Sequence, residues 1–133
     1  MPIRVLLVED HEATREEMQS LIDGQADLKV IAAVGTGEAG VDEAVKSKPD
    51  VVVMDIVLPG ITGVAATQCI VAAYPEAKVL ALSNYSGQTL VQAVLQAGGK
   101  GFVRKERAFE ELIPAVRAVA SGKQYLEQRT PRR

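Results

Sequence analysis

The chain has no tryptophan, one cysteine and one histidine, and only 4 % of its residues are aromatic. A single cysteine closes no internal disulfide and builds no cysteine-based metal site. Cys69 falls with Ala66, Ile70 and Ala73 at helical spacing, which reads as a thiol packed in a core. An excess of positive charge is missing too. Fifteen Lys and Arg (15) face 17 Asp and Glu, a formal net charge of −2, so no general basic field awaits nucleic acid. The only basic concentration is the tail, Arg129, Arg132 and Arg133, a short stretch expected to be solvated. No apolar run approaches the length of a membrane span. The start, "MPIRVLLVEDHE", has too few apolar residues before its acids to be a signal peptide. These absences leave a cytoplasmic protein with no membrane partner as the expectation.

What is present is ordinary for one globular domain: 133 residues, 47 % hydrophobic and 24 % charged. Five apolar runs, Ile3–Val8, Leu28–Val34, Val51–Met54, Val79–Leu82 and Gly101–Val103, read as strands, the last being the shortest. Between them lie segments with apolar residues three and four apart. Met18, Leu21 and Ile22 mark the first, and Val41, Ala44 and Val45 the second. The Ala66–Ala73 set marks the third, and Leu90, Val91, Val94 and Leu95 the fourth. The fifth is the longest, with Phe109, Leu112, Ile113, Val116, Val119 and Ala120 on one face and Gly122 as a stop. Pro114 suits that helix only in its first turn; further in, it removes a hydrogen bond. Strand–helix alternation repeated five times predicts an α/β domain whose parallel sheet is wrapped by helices on both faces. The domain is expected over residues 3–122, and residues 123–133 read as the start of a linker or a frayed tail.

Ligands of open parallel sheets bind beyond the carboxyl ends of the strands. There the first strand leads into Glu9 and Asp10, the third into Asp55, the fourth into Ser83, and the fifth through Arg104 to Lys105. Three carboxylates held together repel unless some protonate or a cation joins them. With no cysteine and no suitably spaced histidine, an all-oxygen cluster favours a hard cation, and Mg²⁺ fits best. Once the cluster is neutralised, Asp55 can act as a nucleophile toward phosphorus. The Ser83 hydroxyl and the Lys105 ammonium can then meet the new phosphoryl oxygens.

Over nearly its whole length, roughly Ile3 to Gly122, the chain resembles a receiver domain of two-component response regulators. The matching stretches are "VED" at Glu9–Asp10, "DIVLPGITG" from Asp55 to Gly63, "ALSN" with Ser83, and "GFVRK" with Phe102 and Lys105. The resemblance implies a flavodoxin-like, doubly wound (βα)5 fold with a five-stranded parallel sheet in the order 2-1-3-4-5. It implies that Asp55 is the phosphoacceptor for a sensor histidine kinase, with no turnover enzyme activity beyond assisting its own phosphorylation and dephosphorylation. Mg²⁺ would be held by Glu9, Asp10, Asp55 and the backbone carbonyl of Val57, with Ser83, Phe102 and Lys105 as the phosphoryl-binding and switch residues. Departures from the common pattern are Ser83 for Thr, Phe102 for Tyr and Glu106 for the Pro that often follows the lysine. Val57 and Tyr85 supply neither carboxylate nor amide to orient a hydrolytic water, which predicts slow self-dephosphorylation.

The ending "AVRAVASGKQYL" is similar to that of receivers joined to LuxR-type helix-turn-helix domains. DNA would then be reached only through a C-terminal domain not contained in these 133 residues. A homodimer on the last two helices, a stand-alone receiver, and a receiver-like interaction module that is never phosphorylated stay open. So do plainer roles: Asp55 as a turn cap, Glu9 and Asp10 as first-turn acids, and His11 as a residue lining the pocket edge, a general base or a metal ligand. One competing motif is Gly35, Gly37 and Gly40 in "VGTGEAG", a G-x-G-x-x-G between a strand and a helix with Asp55 ending the next strand. It supports a dinucleotide-binding domain, but leaves Glu9, Asp10, Ser83 and Lys105 without a task. In the receiver reading these glycines form the loop after the second strand.

Overall fold

A computed structural model of the chain describes residues 2–85 and 87–126. The arginines of the tail, Arg129, Arg132 and Arg133, lie outside the described residues. The order is β1 (Ile3–Val8), α1 (Glu12–Asp23), β2 (Leu28–Val34), α2 (Gly37–Ser47), β3 (Val51–Asp55), α3 (Gly63–Ala73), β4 (Val79–Ser83), α4 (Gln88–Gln96) and β5 (Gly101–Arg104). A 3-10 turn (Lys105–Arg107), α5 (Ala108–Ala120) and β6 (Tyr125–Leu126) follow. All pairings are parallel, in the order β2-β1-β3-β4-β5-β6.

The period-2 geometry of strands sorts the apolar runs onto two faces. Val5, Leu7, Val51, Val53, Leu80 and Leu82 pack against Met18 and Ile22 of α1 and Leu112, Val116 and Val119 of α5. Leu6, Val8, Val52, Met54 and Val79 pack on the opposite side with Ala44 of α2 and Ala66 and Ile70 of α3. Ile56, Ala81 and Phe102 meet Val94 of α4 in a third, smaller cluster. Each Val, Leu or Ile so buried contributes about 1.5–3 kcal/mol, which is why the runs are apolar without alternation.

Four expectations need correction. The sheet has six strands rather than five: the Tyr125 N–H donates to the Lys100 carbonyl, and Tyr125–Leu126 adds β6 to the edge beside β5. The Tyr125 hydroxyl also donates to Glu111 Oε1 (3.2 Å), and Arg107 Nε donates to Glu111 Oε2 (2.9 Å), around a carboxylate that is buried. Cys69 is exposed, as is Ala73; the inward stripe of α3 is Ala66, Thr67 and Ile70, because the Thr67 hydroxyl satisfies itself on the Gly63 carbonyl. Phe109 is 79 % exposed and Val45 41 %, so both leave the apolar stripes to which their spacing assigned them. Pro114 sits inside α5, past its first turn; Glu110, whose carbonyl loses its partner there, and Pro114 are both on the exposed side, where water can serve.

The turn after β3 depends on Gly63. Its N–H donates to the Ile56 carbonyl, and a Cβ there would run into the Asp55 carbonyl oxygen and stand 2.7 Å from Ile56 Cα. Backbone has nowhere to yield. Gly63→Ala is therefore expected to cost on the order of 3 kcal/mol of stability through overpacking, read as a lower urea midpoint. An unchanged midpoint would show that the turn relaxes freely.

Candidate functional site

The register explains why the charges converge. Leu7 pairs with Val53 and Val8 with Met54, so continuing both strands by one residue brings Glu9 beside Asp55. Both keep the parity of the residues facing α1 and α5. On the other side, Ser83 pairs with Arg104, and Lys105 comes next in chain.

There Lys105 Nζ lies 2.8 Å from Glu9 Oε1 and 2.9 Å from Asp55 Oδ2. Glu9 is wholly buried and Asp55 nearly so, while the Lys105 side chain keeps 12 % of its surface in solvent. Asp55 Oδ1 accepts from the Val57 N–H at 3.2 Å, the turn-capping bond that the plainer reading requires, so the same carboxylate both caps its turn and carries the charge pair. The Glu9 backbone carbonyl accepts from Arg15 Nη1 at 2.9 Å, and Glu9 Oε2 from the His11 N–H at 3.1 Å. Arg15 follows His11 by one helical turn; that spacing is the only sign of its role in the sequence.

Burial pushes the Asp55 carboxyl above the ordinary carboxylate range; the Lys105 ammonium offsets this only in part, and the Glu9 charge adds to it. Burial works against the Lys105 ammonium, but its contacts with Glu9 and Asp55 outweigh that and hold its pKa above the ordinary lysine value. Lys105 cancels one of three neighbouring carboxylate charges. Asp10 Oδ1 is buried and, among the described residues, accepts no hydrogen bond, and a buried acceptor without a partner is costly; Glu9 Oε1 is met by the Lys105 ammonium. Oxygen donors, residual negative charge and the unsatisfied Asp10 acceptor together fit a hard divalent cation.

Glu9, Asp55 and Lys105 thus meet as the spacing predicted. Ligand atoms of Glu9, Asp10 and His11 also lie within 4.8 Å of one another, a group that does not include Asp55. Ser83 is buried at the end of β4, where its Oγ accepts from the Tyr85 N–H at 2.9 Å; among the described residues no hydrogen bond joins it to Asp55. Phe102 is 2 % exposed beneath α4, and Val57 is exposed at the rim.

The glycine motif has a packing cause. Gly37 and Gly40 belong to α2, not to the loop, and only Gly35 precedes the helix. A Cβ on Gly40 would meet Val8 Cγ2 at 2.9 Å, and one on Gly37 would meet Ile61 Cγ1 at 2.7 Å. The helix N-terminus is already capped by the Thr36 hydroxyl, and its first-turn acid, Glu38, accepts from the Ile61 N–H at 3.3 Å. The α2 N-terminus thus already carries a hydroxyl cap and a first-turn carboxylate, which disfavours a second anion there. Glu38, which steadies the β3–α3 turn in this way, was not legible as such in the sequence.

The chain matches the response regulator receiver domain family over residues 5–117. It is 36 % identical over 124 residues to the transcriptional regulatory protein DegU of Brevibacillus brevis, covering 93 % of this chain and 52 % of that protein. With the transcriptional regulatory protein LiaR of Bacillus subtilis it shares 34 % identity over 127 residues, covering 96 % and 60 %. The chain thus spans between about half and three fifths of the length of these relatives. Among solved structures, a LuxR-family two-component response regulator from Aurantimonas sp. SI85-9A1 superposes with a TM-score of 0.90 at 30 % identity, covering 94 % of this chain and 89 % of that one. The response regulator domain of Thermotoga maritima CheB gives 0.85 at 27 % identity, covering 91 % and 98 %.

The raised Asp55 pKa sets the sign of a pH effect. The folded chain holds this proton at pH values where the unfolded chain has lost it, so Asp55 contributes most to stability below the ordinary value of 3.8 and less as pH rises through its folded pKa. Without divalent ions, Asp55→Asn should raise the urea midpoint at neutral pH and converge with the parent in acid. A variant less stable than the parent at neutral pH would contradict the assignment.

Proposed function

The chain belongs to the response regulator receiver domain family, and from that premise we propose that Asp55 is its phosphoacceptor, fed by a sensor histidine kinase in a two-component system. The observation that carries this reading is the contact of Lys105 with both Glu9 and Asp55 at the mouth of the sheet. A buried carboxylate held against an adjacent ammonium is a nucleophile fixed in place. In the transfer, an Asp55 carboxylate oxygen forms a bond to phosphorus as the donor's bond to phosphorus breaks, and the leaving group departs with the electron pair. Glu9, Asp10 and Asp55, with the Val57 carbonyl, are the residues that would hold Mg²⁺. Mg²⁺, when bound, supplies charge neutralisation and a fixed point for a phosphoryl oxygen.

Lys105 is released from part of its pairing when Asp55 becomes an acyl phosphate, and its ammonium can follow the charge to a phosphoryl oxygen. The Ser83 hydroxyl, one strand away, keeps its own proton to donate. Val57 and Tyr85, 57 % and 63 % exposed at the rim, offer no carboxylate or amide to activate water, which favours a long-lived phosphoryl group. A receiver-like module that is never phosphorylated would have no use for an intact acid–lysine set. The receiver is assigned to residues 3–122, with β6 opening the connection that follows. Since the two transcriptional regulators named above are matched over only 52 % and 60 % of their length, we read this chain as the receiver part of such a regulator, with DNA contacted by a further domain.

The switch route runs from Ser83 moving toward the phosphoryl group to Phe102 adjusting beneath α4, a population shift that changes the α4–β5–α5 surface. Acetyl phosphate with Mg²⁺ should add the mass of one phosphoryl group to the intact chain, and the adduct should persist after the donor is removed. Asp55→Asn should gain none, and labelling of that variant at the parent's level would overturn the assignment. Ser83→Ala should still be labelled but show smaller amide shifts along α4 in NMR spectra; undiminished shifts would remove Ser83 from the route.

A further inference from the structure

β6 keeps its place in the sheet with the help of a buried charge. It has two residues, Tyr125 and Leu126, paired in parallel with β5, and the Tyr125 N–H donates to the Lys100 carbonyl at 3.0 Å. Pairing over so short a strand gives little stability by itself. Gly101 makes room for it, since a Cβ there would stand 2.9 Å from the Tyr125 carbonyl oxygen. The Tyr125 ring is half-buried against the layer of α1 and α5, and its hydroxyl donates to Glu111 Oε1 at 3.2 Å. Glu111 is 6 % exposed, and its other oxygen accepts from Arg107 Nε at 2.9 Å. A buried carboxylate that loses a partner is strongly destabilising. Arg107 ends the three-residue turn that Lys105 begins. That turn is therefore pinned twice, by Glu9 and Asp55 through Lys105 and by Glu111 through Arg107. Phosphoryl transfer to Asp55 calls for the first attachment, and nothing in it calls for the second.

We propose that Glu111 is a positioning residue that couples the Asp55 site to the docking of β6, and that phosphorylation weakens this docking. The direction rests on the reading of Asp55 as phosphoacceptor; the coupling does not. Both bonds to Glu111 belong to the arrangement in which Lys105 contacts Glu9 and Asp55, so they stabilise it over any in which the turn has moved. When the Lys105 ammonium follows the new charge to a phosphoryl oxygen, the turn moves with it and Arg107 pulls on Glu111. The Tyr125 hydroxyl then loses its acceptor, and β6 leaves the edge of the sheet more often. The effect is reciprocal: an undocked β6 favours a phosphoryl-like ligand at Asp55 by the same factor.

Hydrogen exchange at the Tyr125 amide, which donates to the Lys100 carbonyl, reports β6 directly. In the chain labelled with acetyl phosphate and Mg²⁺, this amide should exchange about fivefold or more faster, while amides of β2 at the opposite edge keep their rates. Tyr125→Phe keeps the ring and removes only the hydroxyl. It should bind the phosphoryl mimic beryllofluoride, with Mg²⁺, about fivefold or more tighter than the parent. Unchanged or slower exchange on labelling, or an affinity that does not rise in Tyr125→Phe, would overturn the proposal. A measurement without any phosphodonor keeps the two readings apart. The NMR signals of the Lys105 ε-methylene should shift in Tyr125→Phe, although residue 125 pairs with Gly101, four positions before the lysine. Signals that stay in place would overturn the coupling. A shift in a chain that takes up no phosphoryl group would support the coupling and remove Asp55 as phosphoacceptor.

Discussion

One ammonium group between two buried carboxylates is the interaction on which the rest depends. Glu9 and Asp55 arrive from different strands and end side by side at the edge of an apolar core, where Lys105 contacts both. Removing charge from water is costly, and here the cost is only partly offset, since Asp55 still resists ionisation. The site is held in tension by design of its surroundings: the strands are too well packed to let the acids separate, and the lysine cancels one charge of three.

The core enforces that tension. Alternate residues of β1 and β3 bury against opposite helical layers, so neither strand can slip by one residue without exposing a face of Val, Leu and Met. Register, fixed for reasons of packing, is thereby also the device that aligns the acids. Gly63 and Gly40 belong to the same logic, since each lets backbone or helix approach where any side chain would intrude.

Much of this was legible in the chain itself. The first four apolar runs locate four strands almost to their ends, and the polar residues at the ends of the first, third and fourth locate the site, because a buried strand has few other reasons to end in a polar group. Legibility failed where the reason was local or came from a distant element. Spacing assigned Cys69 and Phe109 to interior stripes, but a helix of this length has a stripe narrower than its run of apolar residues. Tyr125 and Leu126 form a strand through backbone pairing with β5 and a hydroxyl bond to Glu111, neither of which has a sequence signature. The glycine-rich motif misleads for the opposite reason, because close helix packing and phosphate binding ask for the same residue.

The hydroxyl of Tyr125 fastens β6 to Glu111, which Arg107 grips from the short turn that also begins with Lys105. The exit of the chain is thus geared to the segment bearing the lysine. A passenger tethered beyond β6 would feel a shift of that segment as torque on its leash, not as the arrival of a messenger.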